Sequence, residues 1–311
     1  MRLAKVQTIR LAEFPNLLLV QLHADEGLIG LGETYFNAQA AEAYIHETAA
    51  PYLLGKDPQR IDRHARALQT YVGYSSTGAE MRANSAIDIA LWDLFGQATG
   101  QPIYQLLGGA CREDIRIYNT CAGYRYVRAE SAQLVSNWGL VGPGREGPYE
   151  DLEAFLYRAD ELAESLLGQT IDGMKIWPLD PFAEASNGSY ISAADLARAV
   201  EPLKKIRLAV GDRMDVMIEM HGHAPHDCTG PVVLTASTHL SVNLHNALIQ
   251  ETVRAFYSGW YGELVTDLPP ISNGRIKPPA GPGPGTRLQP DVLRRPDASV
   301  RTASLAASAV R

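Results

Sequence analysis

DLEAFLYRADELAESLLGQTIDGMKIWPLD, residues 151–180, reads as a helix that runs into a strand. Apolar residues recur at helical spacing through Asp151–Leu167, which predicts one long amphipathic helix. Ile171–Trp177 is then a short, dense apolar run of strand length. The same rhythm extends outward on both sides. Ile115–Cys121 is a strand before it. After it, Ser192 caps a helix over Ala193–Lys205, Val216–Met220 is a strand, Val232–His239 is helical and Ala247–Glu251 is a short buried strand. Alternation of this kind predicts a mainly parallel sheet with helices outside it.

Residues 1–110 have a different order, strands first and helices second, and predict a small α+β domain. Val6–Leu11, Leu17–Leu22 and Leu28–Glu33 are the strands, with Asp25-Glu26-Gly27 as a turn. Gly27, Gly30 and Gly32 lie in GLIGLG, which lacks the register of a dinucleotide fingerprint. Ala40–Ala50 and Arg60–Tyr71 are helical, separated by the breaker stretch Pro51–Pro58, and a Gly/Ser region spans Gly73–Gly78. Ala83, Ala86, Ile87, Ala90, Leu91 and Leu94 mark the clearest helix. Residues 111–262 hold the β/α units. Residues 263–311 are rich in Gly and Pro, and predict an irregular tail docked on another surface.

The 311 residues are 46% apolar and 20% charged, the balance of a globular protein, with a formal net charge of −7. No basic block stands out to neutralise nucleic-acid phosphates, and no apolar run reaches membrane-spanning length. Three dispersed cysteines, Cys111, Cys121 and Cys228, form no CxxC pattern and fit a reducing, cytoplasmic setting.

Polar residues at the carboxyl ends of such strands converge on one site. Here they are Lys175, Glu219, His226 and Glu251. Each also has a plainer reading: Lys175 reaching water from a strand end, Glu219 capping the next segment, Glu251 pairing with Arg254. Glu219, His221, His223, His226 and Asp227 make a dense cluster of possible zinc ligands, yet H-x-H-x-x-H matches no familiar zinc pattern.

Several segments together resemble the mandelate racemase and muconate-lactonizing group of the enolase superfamily, particularly its acid-sugar dehydratases. They are Ala83–Asp93, Pro102–Gly109, Gly173–Pro178, Ile218–Gly222, Ala224–Asp227 and Gln250–Arg254. The resemblance implies a capping α+β domain over residues 1–110, a (β/α) barrel over 111–262 and a tail over 263–311 that packs back on the cap. It implies Mg²⁺-dependent removal of the proton α to a carboxylate, the metal stabilising the enediolate. By the same resemblance Glu219 is a Mg²⁺ ligand, Lys175 and His226 are acid–base groups on opposite faces of the substrate, and Glu251 hydrogen-bonds the substrate carboxylate or the intermediate. Phe14 and Asn16 between the first strands, Tyr35 and Asn37 after the third, and Trp177 are candidates for substrate contact or lid. Trp177 stands where two-lysine members carry a second lysine, which favours loss of water from a sugar acid over racemisation. Members of the group commonly self-associate, so a homo-oligomer is expected.

The barrel is expected to be incomplete. A full (β/α)₈ barrel takes about 250 residues, and residues 115–262 are far fewer. Motifs resembling strands one to three are followed directly by those resembling seven and eight, as though about three β/α units were missing. With them go the expected second and third metal ligands, since one carboxylate does not hold catalytic Mg²⁺. The alternative function is therefore an inactive remnant with a structural or partner-binding role.

Overall fold

The computed structural model describes residues 1–69, 78–130, 134–140, 149–188, 190–219, 230–244, 247 and 249–305. Strands β1 (Leu3–Leu11), β2 (Phe14–Ala24) and β3 (Ile29–Tyr35) form an antiparallel meander. Helix α1 (Ala38–Tyr44) passes through a π-turn at Ile45–Ala49 into α2 (Ala50–Leu53), followed by α3 (Ile61–Gln69), α4 (Gly78–Thr99) and α5 (Ile103–Leu106).

The dense apolar run of β2 reflects burial on both faces. Leu18, Val20 and Leu22 point into the core shared with α1–α4. Leu17 and Leu19, on the opposite face by strand alternation, join the core of the rest of the chain. Gly30 and Gly32 serve that packing and not a nucleotide. A Cβ at these positions would lie 2.1 Å from the Ala90 carbonyl oxygen and 1.9 Å from that of Ala86, so only glycine lets β3 lie flat on α4.

The second half begins with β4 (Ile115–Thr120). The expected single helix over Asp151–Leu167 is two, α6 (Asp151–Tyr157) and α7 (Ala159–Gly168), broken at Arg158 with φ −136° and ψ 46°. Then come β5 (Gly173–Ile176) and α8 (Asp180–Ser186). The helix expected over Ala193–Lys205 also divides, into α9 (Ala193–Ala199) and α10 (Glu201–Val210), with Pro202 in the first turn of the second. Proline disfavours the helical conformation of the residue before it and ends the hydrogen-bond ladder there. Ser192 caps α9 as expected, accepting from Asp195 N. Strand β6 (Asp215–Ile218) follows. Helix α11 (Pro231–Asn243) forms despite its β-branched residues. Thr235 and Thr238 donate their hydroxyls back to Pro231 O and Leu234 O at 2.8 Å, which satisfies them within the buried helix. Strand β7 (Gln250–Thr252), α12 (Arg254–Ser258) and α13 (Tyr261–Leu264) complete this half.

The parallel strands lie in the order β7-β4-β5-β6. Among the described residues the sheet does not close. Its edges are β7 and β6, and Ile218 on β6 is 47% exposed. The tail is more ordered than its composition predicts. Strands β8 (Ile271–Ser272) and β9 (Arg275–Ile276) make a hairpin on β4, and β10 (Ala298–Ser304) zips antiparallel onto β1. No helix among the described residues is long and apolar enough to cross a membrane.

Candidate active site

Four adjacent strands deliver polar side chains to one point. In the parallel register Thr120 pairs with Lys175, and Lys175 with Met217. Strand alternation sends Met174 and Ile176 away from Lys175 into the core, where both are fully buried. Lys175 is 6% exposed, and its ammonium lies 2.7 Å from Glu251 Oε1 and 2.9 Å from Glu219 Oε2. Thr120 Oγ1 donates to the same Glu251 oxygen. Glu219, just past β6, is anchored by its amide on Ile176 O at 2.9 Å. Two of the three plainer readings do not hold: Lys175 does not reach for solvent, and Glu251 does not pair with Arg254; the segment that Glu219 would cap lies outside the described residues.

Arg254 belongs to a second polar layer that the sequence did not disclose. Its Nη2 is 2.7 Å from Asp151 Oδ1 and its Nε 3.2 Å from Oδ2, a two-pronged pair that is almost wholly buried. Asn119 joins it, donating to Asp151 Oδ2 at 2.9 Å and accepting from Arg254 N at 2.8 Å. The Arg254 guanidinium also stacks 3.9 Å from the centre of the Tyr149 ring. Asn119 and Arg254 flank Thr120 and Glu251 in sequence, so this layer fixes the strand ends that carry the first one.

The two loop segments meet through Phe36 and Asn16. Phe36 N donates to Asn16 O at 2.8 Å, and Asn16 Nδ2 reaches Val127 O and Glu130 O at 2.9 and 3.2 Å. Phe14 packs against Trp260 with ring centres 4.6 Å apart. Arg82 donates to Tyr35 O at 2.6 Å. Phe36 and Asn37 have φ of 67° and 54°, a left-handed turn unusual for residues with side chains. Trp177 is 1% exposed, enclosed by Tyr126, Trp138 and Phe155. His221, His223, His226, Asp227 and Cys228 lie outside the described residues, as does most of the Gly/Ser region before α4.

Residues 6–108 match the family model of the mandelate racemase/muconate lactonizing enzyme N-terminal domain, and residues 222–292 match the enolase C-terminal domain-like model. An enolase of the mandelate racemase subgroup from Agrobacterium tumefaciens is 38% identical, covering 98% of this chain and 99% of that one, with a TM-score of 0.82. The chain belongs to the mandelate racemase/muconate lactonizing enzyme family of the enolase superfamily. Another member of the superfamily, from Sargasso Sea environmental DNA, is 31% identical with a TM-score of 0.81. The D-galactonate dehydratase of Pectobacterium atrosepticum is 39% identical over 127 residues, a match that spans 32% of that protein's length. That of Xanthomonas oryzae pv. oryzae aligns over 95% of this chain and 94% of its own length at 26% identity. Its alignment runs to 372 positions against 311 residues here, so that relative carries segments without a counterpart in this chain.

Members of the mandelate racemase/muconate lactonizing enzyme family are generally Mg²⁺-dependent. The described residues do not fit that ion. Mg²⁺ needs oxygen ligands free to turn to a common point in near-ideal octahedral geometry. Glu219 and Glu251 are both turned to one ammonium, and among the described residues no group of three His, Cys, Asp or Glu is placed to hold a metal.

Proposed function

We propose that this chain performs the proton chemistry of its family on a sugar acid, removing the hydrogen α to the carboxylate and expelling water from the neighbouring carbon. The observation that supports the reading is the convergence of Lys175, Glu219 and Glu251 at the carboxyl ends of neighbouring parallel strands. The dehydratases among the relatives point to an aldonate such as D-galactonate. A cytoplasmic location and a homo-oligomer accompany this reading.

The short Lys175–Glu251 contact has a chemical use. Transfer of one proton from Nζ to Glu251 Oε1 produces a neutral amine and a carboxylic acid in a single step. The amine is then a base for the α-proton, and the acid a donor to the substrate carboxylate, whose charge grows as the enediolate forms. Thr120 holds Glu251 in place throughout. His226 is assigned the opposite face of the substrate, as the acid for the departing hydroxyl. Asn16, Tyr35 and Asn37 are assigned to the loops that exclude water. No step is routed through Mg²⁺.

A second reading, an inactive chain with a structural or partner-binding role, is favoured by one observation: both glutamates are engaged by Lys175. One assay separates the two. The purified chain is offered D-galactonate and a panel of other aldonates with Mg²⁺, and the 2-keto-3-deoxy product is measured, with Lys175→Ala as control. Turnover by the wild type that is lost in the variant supports the dehydratase reading. No product from any aldonate overturns it.

A further inference from the structure

Helix α11 begins without the means to finish its own first turn. Its N-cap, Gly230, has no side chain to offer, and no residue of the helix supplies a side-chain cap. Pro231 has no N–H, but the amides of Val232 and Val233 do, and unsatisfied they would be costly in a buried helix end. They are satisfied from the other half of the molecule. Val232 N donates to Glu33 Oε2 at 3.1 Å and Val233 N to Glu33 Oε1 at 3.4 Å. Glu33 is completely buried. The fit leaves no slack, because a Cβ on Gly230 would lie 2.4 Å from the Glu33 carboxyl atoms.

Glu33 sits on β3, two residues before Tyr35 and the left-handed turn at Phe36 and Asn37. We propose that Glu33 is a positioning residue, a clasp that seats the capping layer and its Tyr35–Asn37 loop on the barrel half by completing the first turn of α11. The proposal goes beyond the dehydratase reading and does not depend on it, since every measurement below is made without substrate.

The clasp is sensitive to protons. Burial pushes the Glu33 carboxyl up to about 8, against the pull of the Val232, Val233 and Gly230 amides. The ionisable groups on the elements packed around it are Glu80, Arg82, Asp88 and Asp93 on α4, His23 on β2 and His239 on α11, and none of them enters this balance. The neutral acid is therefore the form the fold prefers. Its stabilising contribution is complete below the ordinary carboxylate range and is lost as pH rises through about 8.

The test compares wild type, Glu33→Gln, Glu33→Ala and Gly230→Ala by hydrogen exchange and by thermal unfolding between pH 5 and 9. Glu33→Ala and Gly230→Ala are expected to speed exchange roughly tenfold in two separate segments at once, 34–38 and 230–236, the size expected for a lost helix cap. Glu33→Gln, neutral and of the same shape as the protonated acid, keeps one acceptor oxygen for the two amides, so its exchange in both segments rises less than that of Glu33→Ala. The wild-type Tm falls as pH rises from 5 to about 8 and levels off above that, whereas that of Glu33→Gln does not follow this fall. Faster exchange confined to one of the two segments overturns the proposal, as do identical Tm profiles for wild type and Glu33→Gln. The Glu33→Gln comparison decides the matter even where Glu33→Ala does not fold.

Discussion

Lys175 Nζ and Glu251 Oε1 lie 2.7 Å apart although their strands, β5 and β7, are not neighbours. Strand β4 runs between them, and the two side chains meet across it above Thr120. Lysine and glutamate side chains are long enough to span one intervening strand, so the contact ties the ends of three strands together.

Removing the cation from this cluster leaves two largely buried carboxylates facing each other. Lys175→Met is expected to cost about 3–5 kcal/mol, the range for breaking a buried ion pair on one side. Urea unfolding measures it. The triple variant Lys175→Met, Glu219→Gln, Glu251→Gln is expected to recover most of that loss, because it removes the charges together.

The Asp151–Arg254 pair supports the same strand ends from behind. Arg254→Ala is expected to destabilise by about 3–5 kcal/mol, and Arg254→Lys to rescue little, since lysine cannot make the two-pronged contact or stack on Tyr149. Unfolding of the two variants and of Asp151→Asn in a double-mutant cycle tests the coupling.

Asp93 ties α4 to β3 through Leu31 N at 2.8 Å. Burial pushes its carboxyl up to about 6, only partly offset by Arg287, Leu31 N and Gln97. A carboxyl raised in the folded state stabilises fully below its ordinary range, and that contribution is lost as pH climbs through about 6. Up to about 3 kcal/mol is at stake. Asp93→Asn is expected to flatten the stability profile between pH 4 and 6, which denaturant titrations at several pH values would reveal.

Gly32 leaves α4 no clearance, with the Ala86 carbonyl where a Cβ would go. Gly32→Ala is expected to cost about 3 kcal/mol, at the upper end for overpacking a core, because backbone and not a flexible side chain must yield. Calorimetry would show the lowered Tm.

What was legible in the sequence was local. Lys175, Glu219 and Glu251 could be named because each ends an apolar strand of the right length, and because the segments around them carry family motifs. Ser192 was a cap on sight. The break at Arg158 has no proline or glycine to announce it, whereas the one before Pro202 did have a signal. The two buried clasps were illegible for another reason. Glu33 and the α11 amides are about two hundred residues apart, and Asp151 and Arg254 are brought together only by the folded sheet. Nothing periodic marks a residue whose role is to satisfy a distant backbone. The three strands and the long helix α4 of the cap, by contrast, were marked by apolar runs and helical spacing within short windows.

The antiparallel pairing of β10 with β1 joins Lys5 to Ser304 and Leu11 to Ala298. As the ribosome works from the amino end, β1 emerges almost three hundred residues before its outer partner. Until β10 is made, β1 keeps one edge of unpaired backbone groups, the kind of edge on which another chain can pair.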